Sequence, residues 1–155
     1  MHLVLVGTGL AAGRLVLEIT EGVIFDEPAR ALSTLRKLKA LGVKIAMDDF
    51  GSGYASMSSL QSFPFDKIKI DQSFVSGVET NAQSAAIVRS IIGLGNALDI
   101  PVIAEDVETE GERAFLRREG CREIQGFLIG RPDHIERYLE LISGSKVRQF
   151  TAKAV

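Results

Sequence analysis

Short apolar runs alternate along this chain with longer stretches whose apolar residues recur at helical spacing, a pattern that predicts parallel strand–helix units. The runs fall at residues 15–19, 43–47, 67–70 and 101–104, with a weaker one around Ile124. Between the first two, Pro28 sits at a helix start and Leu32, Leu35, Leu38 and Leu41 follow, with Gly42 placed to end the helix. A longer helix is predicted over residues 82–98, carrying Ile87, Val88, Ile91, Leu94 and Leu98 on one side. Gly93 and Gly95 weaken it by roughly 1 kcal/mol each relative to alanine, which points to close packing there. A further helix is expected from Glu110 to Glu119, stopping at Gly120, and another after Pro132 and Asp133 with Ile135, Leu139 and Ile142 on its apolar side. Residues 144–155 lose this periodicity and read as a loose tail.

Composition narrows the chemistry. The 155 residues are 46% hydrophobic and 25% charged, the make-up of one globular domain with a core. A formal charge of −2 argues against a nucleic-acid polymer or a membrane surface as partner, since either calls for a basic stripe. The single cysteine, Cys121, excludes an internal disulfide and a cysteine-rich zinc cage, and two histidines offer little nitrogen ligation. Any metal must therefore be held by oxygen. The apolar stretch at residues 2–6 is too short to span a bilayer and lacks the flanks of a signal peptide, so a cytoplasmic protein is expected.

In a parallel barrel the chemistry sits at the carboxyl ends of the strands. Nearly every run here closes on a polar residue: Glu18, the pair Asp48 and Asp49, Lys69, Glu105 and Gln125. Alternation places Glu18 with Val16, Asp48 with Ala46, Lys69 with Lys67 and Glu105 with Ile103 on single strand faces, so the charged residues can point to the barrel mouth. Taken singly, a charge at a strand end simply meets solvent. Four convergent carboxylates, however, repel one another unless a cation neutralises them, and hard oxygen ligands suit Mg²⁺ or Mn²⁺. Adjacent Asp48 and Asp49 could bridge two ions roughly 3.5–4 Å apart, the arrangement that hydrolyses phosphoesters. The segment at residues 48–54, with two glycines, has the composition of a mobile loop over a site or of a plain turn. Arg131, Arg117, Arg118 and residues 37–39 read as solvated faces.

Five segments carry a family resemblance, in order and at matching spacing: Leu-Glu-Ile-Thr-Glu from Leu17, Asp-Asp-Phe-Gly-Ser-Gly-Tyr from Asp48, Lys-Ile-Asp-Gln-Ser-Phe from Lys69, Ala-Glu-Asp-Val-Glu-Thr from Ala104, and Gln-Gly-Phe from Gln125 through Arg131-Pro132. They resemble the successive motifs of EAL-domain cyclic-di-GMP phosphodiesterases. The resemblance covers residues 9–143 and implies an α/β fold, a partial TIM-like (β/α) barrel supplying about the last five strand units of the EAL fold. It implies hydrolysis of cyclic di-GMP to the linear dinucleotide pGpG. Glu18, Asp48, Asp49 and Glu105 match metal ligands for Mg²⁺ or Mn²⁺, with Asp48 shared between two ions. Lys69 matches the lysine that orients the hydrolytic water and, with Glu105, makes the catalytic pair. Glu108 and Gln125 match positions lining the substrate side. Glu21 matches a residue that steadies the loop over residues 49–54, in which Phe50 and Gly51 gate the site and which also takes part in dimerisation.

The departures set further expectations. The Glu-Ala-Leu motif, a phosphate-binding arginine and a metal-binding asparagine of the family's first strands do not occur in this chain, so the metal site is short of two ligands and impaired turnover is expected. Asp106 stands where the family usually has glycine. A partial barrel leaves sheet edges open, which predicts a homo-oligomer or a missing N-terminal half as partner. Three rivals stand beside the enzyme. Gly7-Thr8-Gly9 with Ala12, after a short strand, fits a dinucleotide-binding turn, but the crossover helix that fold needs is missing before Leu15. A degenerate EAL module would bind cyclic di-GMP or a protein partner without turnover. A fragment without function of its own is the third, since residues 1–6 depart from the family's helix at this point.

Overall fold

The structure, a computed structural model, describes residues 2–53, 60 and 62–138, the side chains of His2 and Phe25 excepted. Five strands form one parallel sheet in sequential order: β1 (Val16–Thr20), β2 (Lys44–Phe50), β3 (Lys67–Ile70), β4 (Val102–Ala104) and β5 (Glu123–Ile124). Helices connect them: α1 (His2–Thr8) precedes the sheet, α2 (Glu21–Asp26) and α3 (Pro28–Ala40) lie between β1 and β2, α4 (Gln72–Val75) and α5 (Ala82–Leu98) between β3 and β4, and α6 (Glu110–Arg118) between β4 and β5. This is the strand–helix alternation of a (β/α) barrel segment, and all five apolar runs are strands.

Local chemistry fixes the ends of these elements. Pro28 opens α3 and Gly42, at φ +85°, turns the chain after it. Asn81 caps α5 by accepting from the N–H groups of Gln83 and Ser84. Thr109 and Glu112 form a reciprocal capping box on α6. Gly95 has the close packing its position suggested, because a Cβ there would lie 2.2 Å from Val102 Cγ2. Gly93 does not: among the described residues nothing stands within 4 Å of its would-be Cβ.

The central strands β2 and β3 bury Ile45, Met47, Ile68 and Ile70 completely, against Val88, Ile91 and Ile92 of α5 and Leu35 of α3. Each such side chain contributes about 1.5–3 kcal/mol of transfer free energy, enough to hold the strand ends in fixed positions. Two expectations are corrected at the amino end. Residues 2–8 are helical, so the short strand that a dinucleotide-binding turn requires is not there, and nothing in them departs from a helix. After Pro132 the described chain makes only a 3₁₀ turn, Ile135–Tyr138; Leu139, Ile142 and the tail lie outside the described residues. No described helix is long and apolar enough to cross a membrane.

Candidate active site

Lys69, on the central strand β3, is the hub of the site. Its side chain is 4% exposed, and its Nζ lies 2.7 Å from Glu105 Oε1, 2.8 Å from Glu18 Oε2 and 2.9 Å from Asp48 Oδ1. Three strand ends, those of β1, β2 and β4, thus converge on one ammonium. Burial alone would lower the lysine pKa, but Glu105, Glu18 and Asp48 outweigh it and push the group well above its ordinary value, so Lys69 is charged.

Asp48 and Asp49 follow each other on β2, and strict alternation would send them to opposite faces. The pairing of β2 with β3 shifts register between Met47 and Phe50, and Asp49 has φ +54°. This irregularity lets both aspartates serve one side. Oxygen atoms of Asp48, Asp49 and Glu105 all lie within 4.8 Å of one another, close enough for a shared cation. Glu18 is not in that group; its side chain is 50% exposed and it joins the site through Lys69.

The charges act on one another. Burial raises the Glu105 carboxyl, Lys69 draws it down and Asp48 raises it again, and the balance leaves it at about 7. Burial also works to raise Asp48, but the adjacent ammonium of Lys69, with help from Glu105, brings it below the usual carboxylate value. Asp49 is raised by burial and by the neighbouring charges of Asp48 and Asp71. Asp48 Oδ1 is buried without an aligned hydrogen bond, its contact with Lys69 being an ion pair only. A buried, poorly satisfied carboxylate oxygen beside two further carboxylates suits a hard divalent cation, and the residues present fit one.

The surrounding residues divide into those the structure brings in and those it does not. Gln125 donates from Nε2 to Glu105 Oε1 at 2.6 Å, across β4 and the end of β5. Glu21, buried at the start of α2, accepts from the N–H groups of Gly51 at 3.4 Å and Gly53 at 3.2 Å, and so supports the segment after Asp49. Phe50 closes β2 and is packed into the core. Tyr54 lies outside the described residues. Glu108 is exposed, and only its backbone N–H has a described partner, Glu112. Arg131 stacks on the half-exposed Phe127 with its guanidinium 4.4 Å from the ring centre, rather than standing in solvent alone.

Two supports were missed. Gly126 (φ +151°) presses against the residue after Asp106: a Cβ there would lie 2.3 Å from Val107 N and 2.4 Å from Val107 O. Val107 in turn donates to Gln125 O and accepts from Leu128 N, so the Glu105 turn is stitched to the β5 turn. Nothing in the sequence marks that contact. Glu112 is the other: buried, it accepts from the N–H groups of Gly77, Glu108 and Thr109, and the Thr-x-x-Glu spacing of its capping box was a legible signal.

A family profile described as EAL domain matches residues 2–132. The chain belongs to the EAL domain family. Among its relatives, an uncharacterised signalling protein of Caulobacter vibrioides is 58% identical over 136 residues, covering 88% of this chain and 17% of that protein. The solved structure of the PaMucR phosphodiesterase in complex with c-di-GMP is 40% identical with a TM-score of 0.84, covering 88% of this chain and 55% of that one. A manganese and cyclic-di-GMP complex of BlrP1 from Klebsiella pneumoniae, at pH 9.0, is 38% identical with a TM-score of 0.78, covering 83% of this chain and 33% of that one. The chain therefore spans well under two thirds of the length of these relatives. The EAL sheet here is five consecutive strands of the family's barrel, carrying the motifs from Glu18 to Gln125 on its carboxyl ends.

Proposed function

We propose that this EAL domain takes part in the metal-dependent hydrolysis of cyclic di-GMP to linear pGpG. The observation that carries the reading is the convergence of Asp48, Asp49 and Glu105 within 4.8 Å beside the buried ammonium of Lys69. When bound, Mg²⁺ or Mn²⁺ supplies charge neutralisation at the phosphodiester and activation of the attacking water. The chain's own part is to position the groups around it. Asp48, Asp49 and Glu105 offer the inner oxygens, with Glu18 as a further carboxylate. Lys69 orients the water with its N–H donors and stabilises negative charge developing in the transition state. Gln125 holds Glu105 in place from the substrate side, Glu108 stands at the rim, and Glu21 keeps the backbone after Asp49 in one conformation.

The test is Mg²⁺- or Mn²⁺-dependent conversion of cyclic di-GMP to pGpG, followed chromatographically, with Glu105→Ala as control. Turnover abolished by that change supports the site, and turnover indifferent to it sinks it. A second reading, binding of cyclic di-GMP without turnover, is favoured by one observation: Glu18 stands half-exposed and apart from the three-carboxylate group. Retained binding in equilibrium dialysis with no product would decide for it.

A further inference from the structure

The three carboxylates on Lys69 and the three that group for a metal overlap only in part. Glu18, Asp48 and Glu105 surround the ammonium, whereas Asp48, Asp49 and Glu105 make the metal grouping. Two residues, Asp48 and Glu105, belong to both sets. A lysine ammonium has three N–H donors, and here three carboxylates already stand at ion-pair distance from it. None is left for a water molecule unless one carboxylate lets go.

From this geometry we infer that Lys69 is a resident counter-cation, which holds Glu18, Asp48 and Glu105 together while the site is empty and competes with divalent ions for Asp48 and Glu105. The inference rests on the proposed metal-dependent reading for the identity of the competing ion. Like charges brought to one cluster repel, so the ammonium that stabilises the metal-free fold lowers the affinity of the same cluster for a metal. The two effects have opposite signs in a single variant, which a merely structural lysine does not produce. A buried lysine that only filled space would, on replacement by a side chain of similar length, leave metal affinity unchanged or weaken it.

The experiment compares the full chain with Lys69→Met and Lys69→Arg. Melting is followed in chelator, and Mn²⁺ affinity is measured by calorimetry or by competition with a chelator of known affinity. Lys69→Met should melt at a lower temperature without metal, bind Mn²⁺ about tenfold more tightly or better, and gain more in melting temperature from Mn²⁺ than the unaltered chain. Lys69→Arg keeps the charge and should recover most of the metal-free melting temperature. If Lys69→Met folds only with Mn²⁺ present, its affinity is read by withdrawing the ion with chelator, and that dependence is the predicted effect at its extreme. An unchanged metal-free melt, an equal loss in Lys69→Met and Lys69→Arg, or Mn²⁺ affinity no tighter in Lys69→Met would each overturn the inference. None of these readouts uses cyclic di-GMP, so failure of hydrolysis leaves them standing. Absence of Mn²⁺ binding by every form would instead remove the metal reading and the competition with it.

Discussion

The carboxylate of Glu112 accepts a hydrogen bond from the backbone N–H of Gly77 at 3.0 Å, across 35 positions of sequence, while its other oxygen holds Glu108 and Thr109. One 4%-exposed side chain thus ties the turn after α4 to the loop that leads from Glu105 into α6. Burial works to raise its pKa, but the N–H groups of Gly77, Glu108 and Thr109 outweigh it and lower the group below 4.5. A carboxyl depressed in the folded state contributes stability that is fully present above its unfolded value and is lost as pH falls through the folded one. Glu112→Gln should cost about 1–3 kcal/mol at pH 7, and the gap to the unaltered chain should narrow below pH 4.5. Urea unfolding at several pH values checks both; a gap that widens on acidification contradicts the assignment.

Gln125 donates to the oxygen of Glu105 that also faces Lys69, so it orients a carboxylate it does not replace. Partners of this kind are worth about 10- to 100-fold in metal affinity. Gln125→Ala should weaken Mn²⁺ binding by that order while leaving the melting temperature of the metal-free chain nearly unchanged, since Gln125 is exposed. Calorimetric titration with Mn²⁺ and a thermal melt separate the two. A loss of stability equal to the loss of affinity would assign Gln125 a structural role instead.

How much of this was legible in the sequence depended on whether the information was local. Strand runs at residues 67–70 and 101–104 and the helix over residues 82–98 are set by periodicity and caps, and they fall within a residue of the observed elements. The site residues were legible because polar groups closing apolar runs must gather at one end of a parallel sheet. What the pattern could not show was the register shift at Asp48 and Asp49, because alternation assumes a regular strand. Nor could it show that Phe50 is core, as a residue after two aspartates and before Gly51 reads as loop until β2 is seen to continue through it. The contact of Gly126 with Val107 depends on two turns meeting 19 positions apart, and no local signal encodes that.

That contact sets up a sharp prediction. At Gly126 a Cβ would overlap the backbone of Val107, and φ of +151° is itself unfavourable for any other residue. The obstacle is main chain on both sides, so no rotamer change relieves it. Gly126→Ala should destabilise the fold by about 3 kcal/mol and displace the Glu105 turn, weakening Mn²⁺ binding as well. Thermal melts with and without Mn²⁺ measure both effects, and a variant as stable as the unaltered chain would show that the two turns are not held together as described.

Among the described strands, β1 is hydrogen-bonded on one side only, to β2. Val16 on that edge is exposed, and so are Leu3, Val4 and Val6 of α1. An unpaired strand edge with apolar side chains nearby is a template for association. The chain on its own should therefore self-associate, with a melting temperature that rises over a roughly tenfold increase in concentration. Val16→Lys with Leu3→Lys places charges on the edge and the helix without touching Glu18 or Lys69, and should move the chain toward monomer at the cost of a less stable fold. Sedimentation velocity and melting across that range provide the check. A dilute monomer that melts cooperatively at a concentration-independent temperature would show instead that these five strands are self-sufficient, with the β1 edge satisfied by water and the apolar groups of α1 by their own helix.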